Sequence, residues 1–224
     1  PEALRNRSVG DPRGIAWDAG ASGGYVTGMG SSNVIVIDGD YARVAEIAVG
    51  EGPTGIVLGA GRLYVLNRFE GSISVVDTAT RLETARVPLF DPTPGEIRDG
   101  RVHLYGTHET SGLGHISCAS CHVAARMDRL AWDLGDPAGT VKPLDQNCIT
   151  DFIASCEDFH PMKGPMLTQT LQDIVGKEPF HWRGDRDGLE EFNPAFMSLL
   201  GDDETLSPSE MQEFEDFLGT IRFP

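Results

Sequence analysis

Two thiols three positions apart, with an imidazole directly behind the second, form the stretch Cys118-Ala119-Ser120-Cys121-His122 of this 224-residue chain. Each thiol can add to one vinyl group of a haem. The histidine that follows is then placed to coordinate the iron from the proximal side, which is the pattern of a c-type haem attachment site. A CxxC pair can also be half of a zinc site, but zinc needs a second pair of ligands at matching spacing. Cys148 and Cys156, eight apart, do not supply it. A thioredoxin-like redox pair has no use for His122. The expectation is one covalent haem c on Cys118 and Cys121, with His122 on the iron. In an oxidising compartment Cys148 and Cys156 read as a local disulfide, or else as two thiols buried as small hydrophobes.

An iron held by His122 has one further axial position. The candidates are Met166, then Met162, then His160, all within Phe159-His160-Pro161-Met162-Lys163-Gly164-Pro165-Met166, with His181 further on. A thioether there raises the reduction potential and suits electron transfer, a histidine lowers it, and an empty position admits peroxide or oxygen. Each of these residues also has an ordinary role, as a packing methionine or a histidine bonded to a propionate. Arg183, Lys163 and Arg126 are candidate propionate partners or plain surface charges. Gln169, Glu190 and Glu191 are candidate acid-base groups for peroxide. Trp132 and Trp182 could relay electrons or simply pack. Calcium is conceivable at Asp133, Asp136, Asp185 and Asp187, although no twelve-residue loop pattern supports it.

The elements that position these residues fall into two grammars. Residues 1–106 carry a repeat: Pro12-Arg13-Gly14-Ile15, Pro53-Thr54-Gly55-Ile56 and Pro94-Gly95-Glu96-Ile97 recur every 41 residues. Tyr25-Val26-Thr27-Gly28 returns as Tyr64-Val65-Leu66-Asn67, and Asn33 to Asp38 returns as Ser72 to Asp77, both after 39. Short β-branched runs with Gly and Asp at the turns predict a meander of about four strands per unit, the grammar of a β-propeller blade. An antiparallel sandwich is the alternative. Two units and a third that stops near Gly106 cannot close a ring, so a larger polypeptide or another chain is expected to supply further blades. Residues 107–224 read as mainly α-helical. Ser207-Pro208-Ser209-Glu210 is a capping box, followed by an apolar face at Met211, Phe214, Phe217, Leu218 and Ile221. Leu189, Phe192, Phe196 and Leu200 suggest a second face, broken at Asn193-Pro194. The fold class expected is therefore multidomain β + α: a partial propeller of two to three blades, then a helical cytochrome c domain.

A formal net charge of -16 argues against nucleic acid or an anionic membrane as partner, and makes a basic redox protein the physical counterpart. No apolar run approaches the roughly 20 residues of a membrane span. Pro1-Glu2-Ala3-Leu4 reads as a processed or truncated start, without a signal peptide. Attachment of haem c implies export, so the expected location is periplasmic or cell-surface.

The first half resembles YVTN-type propeller repeats, through Tyr25-Val26-Thr27 and Val34-Ile35-Val36-Ile37-Asp38. From about Gly112 to the C-terminus the chain resembles the dihaem cytochrome c peroxidase-like family, which includes quinone-cofactor maturation enzymes. That resemblance rests on Gly114-His115-Ile116-Ser117-Cys118, on Lys163-Gly164-Pro165 to Leu171, and on Pro179-Phe180-His181-Trp182-Arg183-Gly184-Asp185 followed by Leu189-Glu190. Members with a YVTN-type propeller fused to the cytochrome domain are most similar, with Asp128-Arg129-Leu130-Ala131-Trp132-Asp133-Leu134-Gly135 behind the haem motif. The resemblance implies a distal histidine within one position of His160. It also implies two haems, where this chain has one CxxCH, so a second haem is expected on a missing segment or another chain. The function expected is electron transfer through haem c, with the propeller as scaffold or docking surface. The alternative is one haem module of a peroxidase-like or oxidative-maturation enzyme.

Overall fold

Six- and seven-residue stretches rich in Val, Ile and Leu, cut by Gly and Asp turns, produce eight strands between Pro12 and Pro88 in a computed structural model. The structure describes residues 2–143 and 158–224, the side chains of Glu2 and Glu96 apart. Cys148, Cys156 and the disulfide expected between them lie outside the described residues. Strands β1 (Pro12–Trp17), β2 (Gly23–Gly28), β3 (Asn33–Asp38) and β4 (Arg43–Ala48) form one antiparallel sheet in sequential order. Strands β5 (Pro53–Gly59), β6 (Arg62–Asn67), β7 (Ser72–Asp77) and β8 (Leu82–Pro88) form a second.

The repeat extends to irregularities. Register slips between Pro12 and Ile15 in β1 and between Pro53 and Gly55 in β5, then between Val36 and Ile37 in β3 and between Val75 and Val76 in β7. The turn after β3 is fixed by Asp38 Oδ1, which accepts from the amides of Asp40 and Ala42 at 3.0 and 2.9 Å. Asp77 Oδ1 does the same after β7, accepting from Ala79 and Thr80 amides at 3.1 and 2.8 Å. A short carboxylate that bonds its own turn is what places Asp there. The two sheets are propeller-like blades packed face to face, β5 lying on β1 and β2. Their core is Val34, Val36, Ile47 and Val49 from the first against Leu63, Val65 and Val76 from the second, with Tyr25, Ala45, Ile56 and Leu58 at its edge.

The third copy of the repeat is a correction. Pro94-Gly95-Glu96-Ile97 opens no strand; Gly95–Tyr105 is a helix (α2; α1 being Glu2–Arg5) with Pro94 as its N-cap. Beyond Ile97 the strand grammar is gone, and buried Gly100, His103 and Leu104 recur at helical spacing instead. Blades therefore number two among the described residues.

The described residues of the C-terminal half hold less helix than the sequence suggests. Its helices are α3 (Cys118–Cys121), α4 (Pro194–Ser198) and α5 (Pro208–Gly219), with 3-10 turns at Val123–Ala125 and Leu189–Phe192. A two-residue pairing of β9 (Ala131–Trp132) with β10 (Met166–Leu167) is added. Turn-forming side chains explain the shortfall: Asp128, Asp133 and Asp136 each accept a hydrogen bond from the amide two residues on, competing with helix. The capping box forms as expected, Ser207 N donating to Glu210 Oε2 at 2.7 Å. Met211, Phe214, Phe217 and Leu218 of α5 are buried. No helix among the described residues is long and apolar enough to cross a membrane.

Contacts divide the chain into residues 1–120 with 193–217, and residues 121–192 with 218–224. In the first unit, α2 meets α5 through His103 against Phe214 and Tyr105 against Phe217, with ring centroids 6.2 and 6.3 Å apart.

Candidate haem attachment site

Ser117 opens a single turn of helix. Its amide donates to Ser120 Oγ at 3.0 Å, and its carbonyl accepts from the Ser120 amide at 2.9 Å. The α3 turn sets Cys118 and Cys121 at i and i+3, one above the other on the same side. His122 follows at i+4 and leaves helical geometry, with φ -84° and ψ 59°. Ala124 and Ala125 then take left-handed φ of 53° and 57°, turning the chain away sharply. Neither Cys118 nor Cys121 is in a disulfide. Burial pushes the Cys121 thiol up, with Asp128 adding to it, so the sulfur keeps its proton.

The His122 ring is oriented from behind. Its Nδ1 lies 2.8 Å from the carbonyl oxygen of Gln169. A carbonyl only accepts, so Nδ1 carries the proton and the lone pair sits on Nε2. Burial also holds this imidazole below its ordinary value, outweighing the opposing pull of the Gln169 and Arg126 backbone, which keeps it neutral. A neutral ring with Nδ1–H tied to a carbonyl and Nε2 exposed to a ligand is how proteins prepare a histidine for a metal. The Gln169 segment is itself held: the Leu171 amide donates to Ala125 O at 2.9 Å, and Thr168 N to Leu130 O at 3.3 Å. The residues fit the group their spacing implies.

The candidates for the other axial position are spread along the return segment. Met166 is half-buried in β10 opposite Trp132. Met162 is exposed and lies against Gly135, where a Cβ would come within 3.0 Å of its sulfur. His160 is exposed, and its Nδ1 accepts from the Met162 amide at 3.0 Å. That bond puts its proton on Nε2, the opposite tautomer to His122. Trp132 donates to Asp128 Oδ2 at 2.7 Å, and Trp182 to Leu167 O at 2.8 Å, so the two indoles flank the β9–β10 pair.

A second cluster surrounds Asp185, which is 2% exposed. Oδ1 takes His181 Nδ1 at 2.8 Å, and Oδ2 takes Arg183 Nη2 at 2.5 Å. Burial works to raise this carboxyl, but the Arg183 and His181 hydrogen bonds outweigh it and hold it below the usual range. Arg183 also donates to His160 O at 2.7 Å and lies over the Phe159 ring. It is thus tied to its own unit. Lys163 is held below its ordinary value by burial, Asp185 opposing; Arg126 is exposed. Glu191 pairs with Lys142 at 3.0 Å. Asp187 lies 3.4 Å from the same ammonium, and Asp133 and Asp136 bind turn amides. Among the described residues no three His, Cys, Asp or Glu side chains gather as a metal site, and the four aspartates considered for calcium are dispersed among these partners.

Sequence spacing did not single out two features. The Gln169 partner is a backbone carbonyl, which every residue has, so no residue type announces it. The Asp185 cluster had a signal in His181, Arg183 and Asp185 within five residues, but each was read for a separate role, as axial ligand, propionate partner and calcium ligand, rather than as partners of one another.

No family model matches the sequence, and no curated protein matches it closely. Solved structures do match in part. Kuenenia stuttgartiensis hydrazine synthase is 23% identical over 38% of this chain and 25% of its own, with a TM-score of 0.36. AztD from Citrobacter koseri is 17% identical over 35% of this chain and 23% of its own, at 0.32. A streptogramin B lyase is 20% identical over 38% and 28%, at 0.31. The chain thus spans about a quarter of the length of these structures. They are propeller-like β-sheet proteins, and the likeness concerns sheet architecture alone.

Proposed function

We propose that the chain is an exported haem c-binding electron-transfer module, with Cys118 and Cys121 as attachment points and His122 as proximal ligand. The observation that carries this reading is the His122 ring, neutral and tied through Nδ1 to the Gln169 carbonyl, directly behind two thiols on one helical turn. When bound, haem supplies one-electron exchange at a potential set by its axial ligands. Cys118 and Cys121 would tether it through thioether bonds. His122 would offer Nε2 to the iron, and the Gln169 bond fixes its tautomer. Exposed apolar side chains of the same unit, among them Leu130, Trp132, Leu134 and Leu167, are surface that a large apolar ligand would cover. The family resemblance supports the attachment residues and implies a distal histidine at or next to His160; on its place in the return segment Met166 is proposed as distal ligand ahead of Met162 and His160. The His160 tautomer is the reason it ranks last. The blades serve as scaffold, and the acidic surface suits a basic redox partner.

Expression with periplasmic haem-attachment machinery tests the reading. The Cys118–His122 peptide is expected to carry the mass of one haem, and the ferric spectrum to be low-spin with a methionine charge-transfer band that Met166→Ala abolishes. Absence of covalent haem overturns the assignment. A high-spin ferric spectrum with reaction towards peroxide replaces electron transfer with the peroxidase-like alternative.

A further inference from the structure

A sheet with one solvated face alternates apolar and polar residues along each strand. The second blade does not. The face it presents to the first blade carries Ile56, Leu58, Leu63, Val65 and Val76. Its opposite face carries Val57, Tyr64, Leu66, Ile73, Val75 and Val87, aligned by the pairs Val57 with Tyr64, Tyr64 with Val75, Leu66 with Ile73 and Ile73 with Val87. Val57 is 64% exposed and Val87 48%. The same repeat positions in the first blade are Tyr25, Val34, Val36 and Ile47, and there they are covered by the second blade. The second blade's open face is therefore built to receive another blade.

The chain also carries the matching surface. The first blade's outer face bears Ile15, Trp17, Val26, Ile35 and Ile37, the positions that hold Ile56, Leu58, Val65, Ser74 and Val76 in the second. Trp17 lies over Gly24, where a Cβ would come within 3.0 Å of its ring. One indole thus fills the space that Leu58 and Leu63 share in the second blade. Ile15 is 55% exposed and Trp17 36%, Val26 and Ile37 are half-buried, and Ile35 is already covered at 4%, so the open part of this face is its Ile15–Trp17 edge.

We propose that the open face of the second blade receives the outer face of the first blade of a second copy of this chain, repeating between chains the contact found within it. The contact is heterologous, two different surfaces meeting, and such contacts close when the rotation returns on itself. The inference does not depend on haem.

Sedimentation of the haem-loaded chain across micromolar concentrations tests it, with a mass of at least two chains expected. Tyr64→Lys spoils one face and Ile15→Lys the other, both at exposed positions, and far-UV circular dichroism verifies that each still folds. Each variant alone is expected to sediment as a monomer. An equimolar mixture is expected to give a dimer, because one intact face remains on each partner. A native chain that stays monomeric overturns the proposal and leaves the face to a different polypeptide. Association that survives Tyr64→Lys, or a mixture that stays monomeric, overturns it equally.

Discussion

Asp185 joins four side chains through its two ends. Its carboxylate accepts from His181 and Arg183, and its main-chain carbonyl accepts from Lys142 at 3.0 Å and Arg186 at 3.3 Å. Asp185→Asn removes the charge that balances a guanidinium and orients an imidazole, and breaking so buried a pair costs about 3 kcal/mol. The urea midpoint is expected to fall accordingly; an unchanged midpoint contradicts the cluster's structural role. The same residues set an acid response. His181 is held below its ordinary value, by burial first and then by the Lys163 charge, against the pull of Asp185. An unfolded histidine takes its proton near pH ~6.5, before the folded one does, so acidification below that point favours unfolding. Asp185 acts lower. Its folded carboxyl is depressed, so its contribution is complete above the unfolded value of ~3.9 and is lost as pH falls through the folded value. Urea midpoints measured from neutral pH downward should therefore decline first below about 6.5, and His181→Gln should flatten that first decline. A midpoint level between neutrality and about pH 5 contradicts it.

Elements show where sequence suffices and where it misleads. Both blades are legible because short β-branched runs, Tyr-Val pairs and Asp turns recur at nearly the same spacing. The Pro94 copy matched at its opening residues alone, and the residues that follow decide its helix. At Gly100 propensity and packing oppose each other. Alanine stabilises an exposed helix interior by up to ~1 kcal/mol over glycine. Here a Cβ would run into the Glu213 carbonyl of α5, which is main chain and cannot swing aside. Gly100→Ala is expected to cost roughly 1–3 kcal/mol, the scale of overpacking. A calorimetric gain instead would mean that α2 and α5 can part at this point. Ser207→Ala, by contrast, removes an exposed cap and should cost only ~1 kcal/mol in the same measurement. The motif itself was legible at Cys118, Cys121 and His122, since reactive residue types carry their spacing openly. The loops around it were not, because a segment shaped by carboxylate turns has no period to read.

For the molecule as a whole, the two units draw on different sources of stability. The first has the interblade core of Val34, Val36, Leu63, Val65 and Val76, and the aromatic packing of α2, α4 and α5. The second, residues 121–192 with 218–224, buries Ala125, Phe180, Leu189 and Leu218 among its described residues. Trp182, Leu167, Leu130 and Leu134 remain exposed. The apolar core among these described residues is small, and the proposed haem would act on it as a staple. A chain lacking it, made as Cys118→Ala with Cys121→Ala, is then expected to unfold in two steps. The step of the second unit, which holds Cys121 and His122, should drop by about 4–8 °C for each kcal/mol lost in a unit of this size. The step belonging to the blades should stay where it is, because their core of Val34, Val36, Leu63, Val65 and Val76 lies between the two sheets. Calorimetry of the loaded and unloaded chains reads both steps. A single transition that shifts as one would show that both units draw on the haem, and the assignment of separate cores would be wrong.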